Sequence, residues 1–242
     1  MRLVLFDVDG TLLHCGRQVR SHFAAALEEV FGTAGELEGY SFAGKTDPRI
    51  VLDLMTGAGV TAPAVRRAMP RVRAAFLGRL EDGLDREQMT LLPGVVELLE
   101  RLAADPNVAL GLVTGNWRRG AELKLAPFDL GRFFDFGAFG DDGVERSDLP
   151  PVAIERASAA VGRSFRPEEV LIVGDSLEDV ACARAHGLAC LAVATGWTAP
   201  AALSAAGASW VAADLPAAEL LGCFGFSQGG CSSPPRPSGA RS

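Results

Sequence analysis

The chain carries almost no lysine. Of its 23 basic residues only Lys45 and Lys124 are lysines, and the remaining twenty-one are arginines. Such a bias follows genome composition, and it singles out each surviving lysine, because an ammonium and a guanidinium are not equivalent in a tight site. Histidine is scarce as well, at three residues, and the five cysteines (Cys15, Cys182, Cys190, Cys223 and Cys231) contain no C-x-x-C pair. This argues against a zinc site and makes reduced thiols in a cytosolic protein the simplest expectation. No apolar run approaches the length of a membrane span. The first residues enter a strand directly, without a charged n-region and apolar h-region, so a cytoplasmic protein is expected. Positive charge is in deficit, with a net charge of -7 and a pI near 5.1. That balance argues against nucleic acid or an anionic membrane as the main partner, and leaves room for a locally basic pocket holding a phosphorylated small molecule.

What is present begins with the first thirteen residues. Leu3, Val4, Leu5 and Phe6 form a short apolar run of the kind buried on both faces of a sheet. It ends in Asp7-Val8-Asp9-Gly10-Thr11, two carboxylates spaced i, i+2. Like charges held beside a buried strand cost free energy unless a cation or proton compensates them. The alternative of a solvated acidic turn is disfavoured by the Gly-Thr that follows and by partner motifs downstream.

The 242 residues, 48% of them apolar, suffice for one large α/β domain or a domain plus a smaller one. Val19, His22, Phe23, Ala26, Leu27, Val30 and Phe31 keep helical spacing, with Gly32 as a stop. A Gly-rich loop, residues 39–48, leads into a helix near Arg49 to Met55. Thr61 is placed to cap another helix carrying Val65, Met69, Val72, Phe76 and Leu80, with Pro70 expected to kink or break it. From Gly16 to Thr90 no strand pattern is found. Beyond Leu91 short apolar runs (108–113, 136–139, 170–173 and 188–193) alternate with helical segments. The expected fold is therefore α/β: a Rossmann-like parallel sheet core with helices on both faces and an inserted α-helical cap domain. The expected division is 1–15 and 91–222 for the core, 16–90 for the cap, and 223–242 for a disordered tail rich in Gly, Ser and Pro. Trp117, Trp197 and Trp210 are expected to pack against the core.

Four polar features end the strands or follow them at once. They are Asp7/Asp9, Thr114-Gly115-Asn116, the acidic loop from Gly140 to Arg146, and Gly174-Asp175-Ser-Leu-Glu-Asp179. In a parallel sheet these ends share one edge, so the four can converge on one site. Asp175 and Asp179, at i, i+4, fall on one side of a helix start, where Asp175 could alternatively serve as its N-cap. Backbone N–H groups of the helix that follows Asn116 favour an anion.

The motifs FDVDGTLL, LVTGN and VGDSLED, in this order and with a helical insertion after the first, resemble the haloacid dehalogenase-like hydrolase superfamily, most nearly its phosphoglycolate phosphatase-like branch with a helical cap. The resemblance covers residues 2–222. It implies a Mg²⁺-dependent phosphatase that hydrolyses small phosphomonoesters, phosphoglycolate-like or sugar phosphates, through an aspartyl-phosphate. Asp7 is then the nucleophile and Asp9 the general acid and base. Mg²⁺ is held by Asp7, the Asp9 carbonyl and Asp175, with Asp179 steadying the shell. Thr114, Gly115 and Asn116 take the phosphate.

The family's usual Lys-Pro is absent, and Glu145-Arg146-Ser147 stands in its place. Two basic candidates follow: Arg146, in the expected loop, and Lys124, on the helix after the Thr114 turn. Lys45, Thr46 and Asp47 resemble the loop such caps lower onto the core to select substrate, and also read as an ordinary capping turn. The expected partner is a small phosphorylated metabolite, with no nucleic acid or membrane, acted on by a monomer or homodimer. A phosphosugar mutase on the same scaffold and a non-catalytic binding protein that retained the fold are the alternatives. Asp9 argues against carbon–halogen hydrolysis, which needs neither Mg²⁺ nor an acid at that position.

Overall fold

A computed structural model of the chain describes residues 1–220 and 222–225. It opens with β1 (Arg2–Phe6), in which Leu3, Val4, Leu5 and Phe6 are all fully buried. The strand is apolar throughout because both of its faces are covered. After a tight turn come β2 (Leu13–His14) and then three helices, α1 (Gln18–Phe31), α2 (Asp47–Gly57) and α3 (Ala62–Gly83). The chain returns through β3 (Thr90–Leu91) and α4 (Val95–Ala103), after which strands and helices alternate. These are β4 (Val108–Val113), α5 (Arg118–Leu125), β5 (Phe136–Ala138), α6 (Leu149–Val161), β6 (Val170–Gly174), α7 (Leu177–Ala185), β7 (Ala189–Val193), α8 (Pro200–Ala206), β8 (Trp210–Ala212) and α9 (Leu215–Leu220).

The sheet has the order β5-β4-β1-β6-β7-β8, and every pairing in it is parallel. β1 therefore sits centrally, where the strand order reverses, and its carboxyl end opens onto the crevice in which ligands of such sheets bind. Val4 and Phe6 pack with Leu110, Leu171, Leu98 and Leu125 on one face. Leu3 and Leu5 pack with Ile172, Ala153 and Val180 on the other. A third apolar cluster joins the helices of the insertion, with Phe23 and Leu27 of α1, Ile50 and Met55 of α2, and Phe76 and Leu80 of α3.

Local signals set most boundaries. α1 ends at Gly32 in the left-handed conformation (φ 77°), and α2 starts where Thr46 Oγ1 accepts from the Arg49 N–H. Thr61 stands at the expected cap position, though its side chain makes no capping bond.

Five expectations need correction. Pro70 does not break α3, which runs through it; Pro70 and Arg66 are both exposed, so water can take the carbonyl that the missing N–H leaves behind. Thr90–Leu91 is not strandless: β3 pairs antiparallel with β2, Leu13 opposite Leu91 and His14 opposite Thr90, where the insertion leaves and rejoins the sheet domain. Trp197 does not pack at all, being 94% exposed. Trp117 packs among the inserted helices rather than on the sheet. Residues 223–225, read as tail, form a short 3₁₀ turn with Cys223 and Phe224 buried, and Arg2 donates to the Phe224 carbonyl (2.5 Å). The rest of the expected tail, 226–242, lies outside the described residues.

Candidate active site

The N–H of Asp7 still donates to Val173 O (2.9 Å), which fixes Asp7 at the sheet edge between β1 and β6. The Val8 carbonyl then accepts from the N–H groups of Thr11, Leu12 and Leu13, and the chain turns back on itself. Gly10 makes this turn possible at φ 83°, and a Cβ there would collide with the Asp175 carboxylate.

Two buried cations meet the carboxylates, each with its own partners. Arg146, from the short turn after the acidic loop, places Nη2 3.0 Å from Asp7 Oδ1 and 2.5 Å from Asp179 Oδ1, and donates to Val113 O at 2.9 Å. Lys124 reaches back from the last turn of α5, and its Nζ donates to Asp9 Oδ2 (2.7 Å) and Asn116 Oδ1 (2.5 Å). The Asn116 amide in turn donates to Asp9 Oδ2 (2.7 Å) and Thr114 Oγ1 (2.8 Å). Arg146 and Lys124 thus stand on opposite sides of the Asp7–Asp9 pair. Burial works against both charges, but the carboxylates around each outweigh it and hold both above their ordinary values.

Oxygens of Asp7, Asp175 and Asp179 lie within 4.8 Å of one another, and all three residues are buried. Among the described residues, three carboxylates meet one guanidinium, that of Arg146, which leaves two negative charges without a counterpart when all three acids are ionised. The imbalance registers in the acids themselves. Burial pushes Asp7 up to about 6 against the pull of Arg146. Burial, then the charges of Asp179 and Asp7, push Asp175 up to about 8. A hard divalent cation with oxygen ligands fits this set, since it supplies the missing charge.

Asp179 has both oxygens committed: Oδ1 to Arg146, and Oδ2 to the N–H and hydroxyl of Ser176 (3.1 and 2.5 Å). Ser176 and Asp179 form a capping box at the start of α7. The N-cap is therefore Ser176, not Asp175. Among the described residues Asp175 hydrogen-bonds only with the Thr11 hydroxyl, at 3.4 Å, and it is walled by Gly10 and Gly196, where a Cβ would strike its carboxylate. Its oxygens, with the second oxygen of Asp7, are left for a ligand.

The start of α5 differs from expectation. Its N–H groups already hold protein carboxylates, Trp117 N–H donating to Asp47 Oδ2 (2.8 Å) and Arg118 N–H to Asp141 Oδ2 (2.5 Å). The groups left beside the turn are the Thr114 hydroxyl and the Lys124 ammonium rather than the helix end.

The three residues of the 45–47 loop are engaged as well. Lys45 pairs with Asp53 (3.3 Å) and lies 4.0 Å over the Tyr40 ring. Thr46 donates to Val144 O, and the Asp47 N–H donates to Gly115 O (2.8 Å). Asp47 is buried, and burial pushes it up to about 7 even with Lys124 nearby.

Several residues of the site escape the sequence reading. Ser176 is one, and the S-x-x-D spacing it shares with the expected Asp179 is a visible signature. Thr11, Asp141, Trp117 and Gly196 carry none, because their partners lie far off in the chain. The burial of Lys124 is legible from its spacing with Ala121 and Leu125 on the inner stripe of α5.

The chain is similar to known proteins. The haloacid dehalogenase-like hydrolase family matches residues 4–193. A phosphoglycolate phosphatase of Cereibacter sphaeroides is 32% identical over 189 residues, which cover 76% of this chain and 81% of that protein. Phosphoglycolate phosphatase 1 of Pseudomonas aeruginosa is 30% identical over 208 residues, covering 81% and 70%. The crystal structure of a hydrolase from Pseudomonas syringae superposes with a TM-score of 0.67 at 22% identity, covering 95% of this chain and all of that one.

Proposed function

This chain belongs to the haloacid dehalogenase-like hydrolases and is a phosphoric monoester hydrolase, and from that premise we propose that it hydrolyses small phosphomonoesters with Mg²⁺ through a phosphorylated Asp7. The observation that carries the reading is the buried trio of Asp7, Asp175 and Asp179 with Arg146 its lone cation, beside a second pair, Asp9 and Lys124. One half of the site lacks positive charge while the other holds an acid–base residue under tension from two donors. That division suits the transfer of a dianionic phosphoryl group.

An Asp7 carboxylate oxygen attacks phosphorus and the ester P–O bond breaks. Asp9 gives its proton to the departing alkoxide. Water then attacks the phosphorylated Asp7, passes a proton to Asp9, and releases inorganic phosphate and the free carboxylate. Arg146 holds Asp7 Oδ1 and so fixes the nucleophile's rotamer. The Thr114 hydroxyl accepts from Asn116 and keeps its own proton for a phosphoryl oxygen.

Between the two basic candidates, Lys124 is the better phosphate ligand. An ammonium has three donors, and two are spent on Asp9 and Asn116. Arg146 Nη2 is surrounded by three acceptors, and its role is charge balance. Asp7 and Asp175, with Asp179 behind them, would hold Mg²⁺, which would supply charge to offset the developing negative oxygens. The α1–α3 block serves as a cap over this edge. Phosphoglycolate, named for two relatives, is the first substrate to test.

The test is phosphate release from phosphoglycolate and from an aryl phosphate with and without Mg²⁺. Wild type should require the cation, and Asp7→Asn should release no phosphate. Turnover by Asp7→Asn at the wild-type rate would remove Asp7 from the mechanism.

A further inference from the structure

Trp117 follows the Thr114-Gly115-Asn116 turn of the sheet domain, yet its indole lies inside the cap's apolar cluster. It stacks against Phe23 (6.3 Å between centroids, planes 9° apart) and leans on Phe76 (5.8 Å). In the opposite direction the cap sends Asp47 into the turn. The Asp47 N–H donates to Gly115 O (2.8 Å), and its Oδ2 accepts from the Trp117 N–H (2.8 Å). The fit leaves no slack, since a Cβ on Gly115 would collide with the Lys45 carbonyl and one on Gly140 with the Gly115 carbonyl.

Other contacts join cap and core: the buried Thr46 donates to Val144 O, while the ion pairs are of a different kind. Arg49–Glu145 and Arg119–Glu81 are about half exposed. Such pairs part into water at little cost. A buried indole and a buried carboxylate do not.

We propose that Asp47 and Trp117 form a two-way clasp that makes seating of the cap and formation of the Thr114–Trp117 turn a single event. Both are positioning residues, and neither touches the reacting atoms. When the cap lifts, Trp117 either leaves the cap cluster or carries the turn away with it. The first course strips the indole of its packing and the turn of its hold on the cap; the second displaces Asn116, whose amide bridges Asp9 Oδ2 and Thr114 Oγ1. Lifting the cap is therefore coupled to loosening of the turn. The kinetic consequence rests on the phosphatase reading, whereas the clasp itself does not.

In the full chain carrying Trp197→Phe and Trp210→Phe, Trp117 is the sole indole, and acrylamide quenching reads the clasp without reference to activity. Relative to that parent, Asp47→Ala should raise the quenching constant about threefold or more and lower kcat on an aryl phosphate about tenfold or more, with KM moving less. Asp47→Asn keeps an acceptor for the Trp117 N–H and should recover most of both losses. The clasp is overturned if Asp47→Ala leaves quenching unchanged, whether or not kcat falls. Should Asp47→Ala not fold, hydrogen exchange on the unsubstituted chain decides. The segments around residues 114–118 and around Phe23 should open at one common rate, and a cap opening about tenfold faster than the turn overturns the proposal. Failure of the parent protein to release phosphate would sink the phosphatase reading and leave the quenching and exchange readouts standing.

Discussion

Lys124 Nζ donates to Asp9 Oδ2 at 2.7 Å, joining the only lysine buried in the sheet domain to the second carboxylate of the opening motif. Asn116 donates to the same oxygen at the same distance. With Oδ2 doubly held, Oδ1 is the oxygen that the proposed acid–base role of Asp9 would use.

Loss of Lys124 should therefore fall hardest on reactions that need Asp9 most. In Lys124→Met, kcat on an alkyl phosphate should fall by roughly 10²- to 10⁴-fold, the range of general acid–base catalysis. An aryl phosphate, whose leaving group needs little protonation, should lose less. Steady-state rates over a leaving-group series check this, and equal losses across the series would separate Lys124 from Asp9.

Asp47 predicts a pH dependence of stability. Burial holds its carboxyl at about 7 in the folded chain, against an ordinary value of 3.8, with Lys124, Asp9 and Asp141 as the charges around it. The folded chain then binds this proton more tightly than the unfolded chain, so stability from this group falls as pH rises from about 4 to about 7. In Asp47→Asn that contribution disappears. Melting curves across this range should show the wild type losing more Tm than the variant. Parallel Tm profiles would refute the assignment.

The sheet, and the polar edge that carries the candidate site, were legible in the sequence for a local reason. Each strand there is a run of buried residues ending in a polar turn, and both signals lie within a few positions of one another. Asp7, Thr114 and Asp175 needed nothing more. Lys124 was harder, because only its place on the inner stripe of α5 separates it from a solvated lysine. Trp117 was misread because its aromatic partners, Phe23 and Phe76, belong to helices that no local pattern ties to the Thr114 turn. The two-residue strands β2 and β3 are too short to show alternation. Trp197 illustrates the converse, since an aromatic residue in sequence carries no statement of what covers it.

Pro70 should be a site of recoverable stability. It lies within α3 on the exposed side, where it withholds one backbone donor from the helix. Pro70→Ala restores the donor and relieves the ring's crowding, at some cost in unfolded-chain entropy. The net gain should be about 2 kcal/mol. A chemical denaturation midpoint reads it directly, and a lowered midpoint would mean that the bend imposed by Pro70 is needed for packing against α1.

The sharpest consequence of the charge imbalance concerns Asp175. Its carboxylate is buried, meets only Thr11 at 3.4 Å, and lies within 4.8 Å of the oxygens of Asp7 and Asp179. In cation-free buffer above about pH 8, where the carboxyl is ionised, it is therefore a burden on the fold, and Asp175→Asn should melt higher than wild type. Adding Mg²⁺ should reverse the order. At roughly a hundredfold excess over Kd the ion stabilises the folded wild type by about 2.7 kcal/mol. The variant, having lost one of the two carboxylates proposed to hold the ion, should gain less. A Tm comparison with chelator and with Mg²⁺ provides all four values. Stability and activity are set against each other at this position, because the same unpaired oxygens that weaken the empty fold are those that hold the ion. An Asp175→Asn protein that melts below wild type in chelator, or that responds to Mg²⁺ as strongly, would show that its buried charge is compensated by another route.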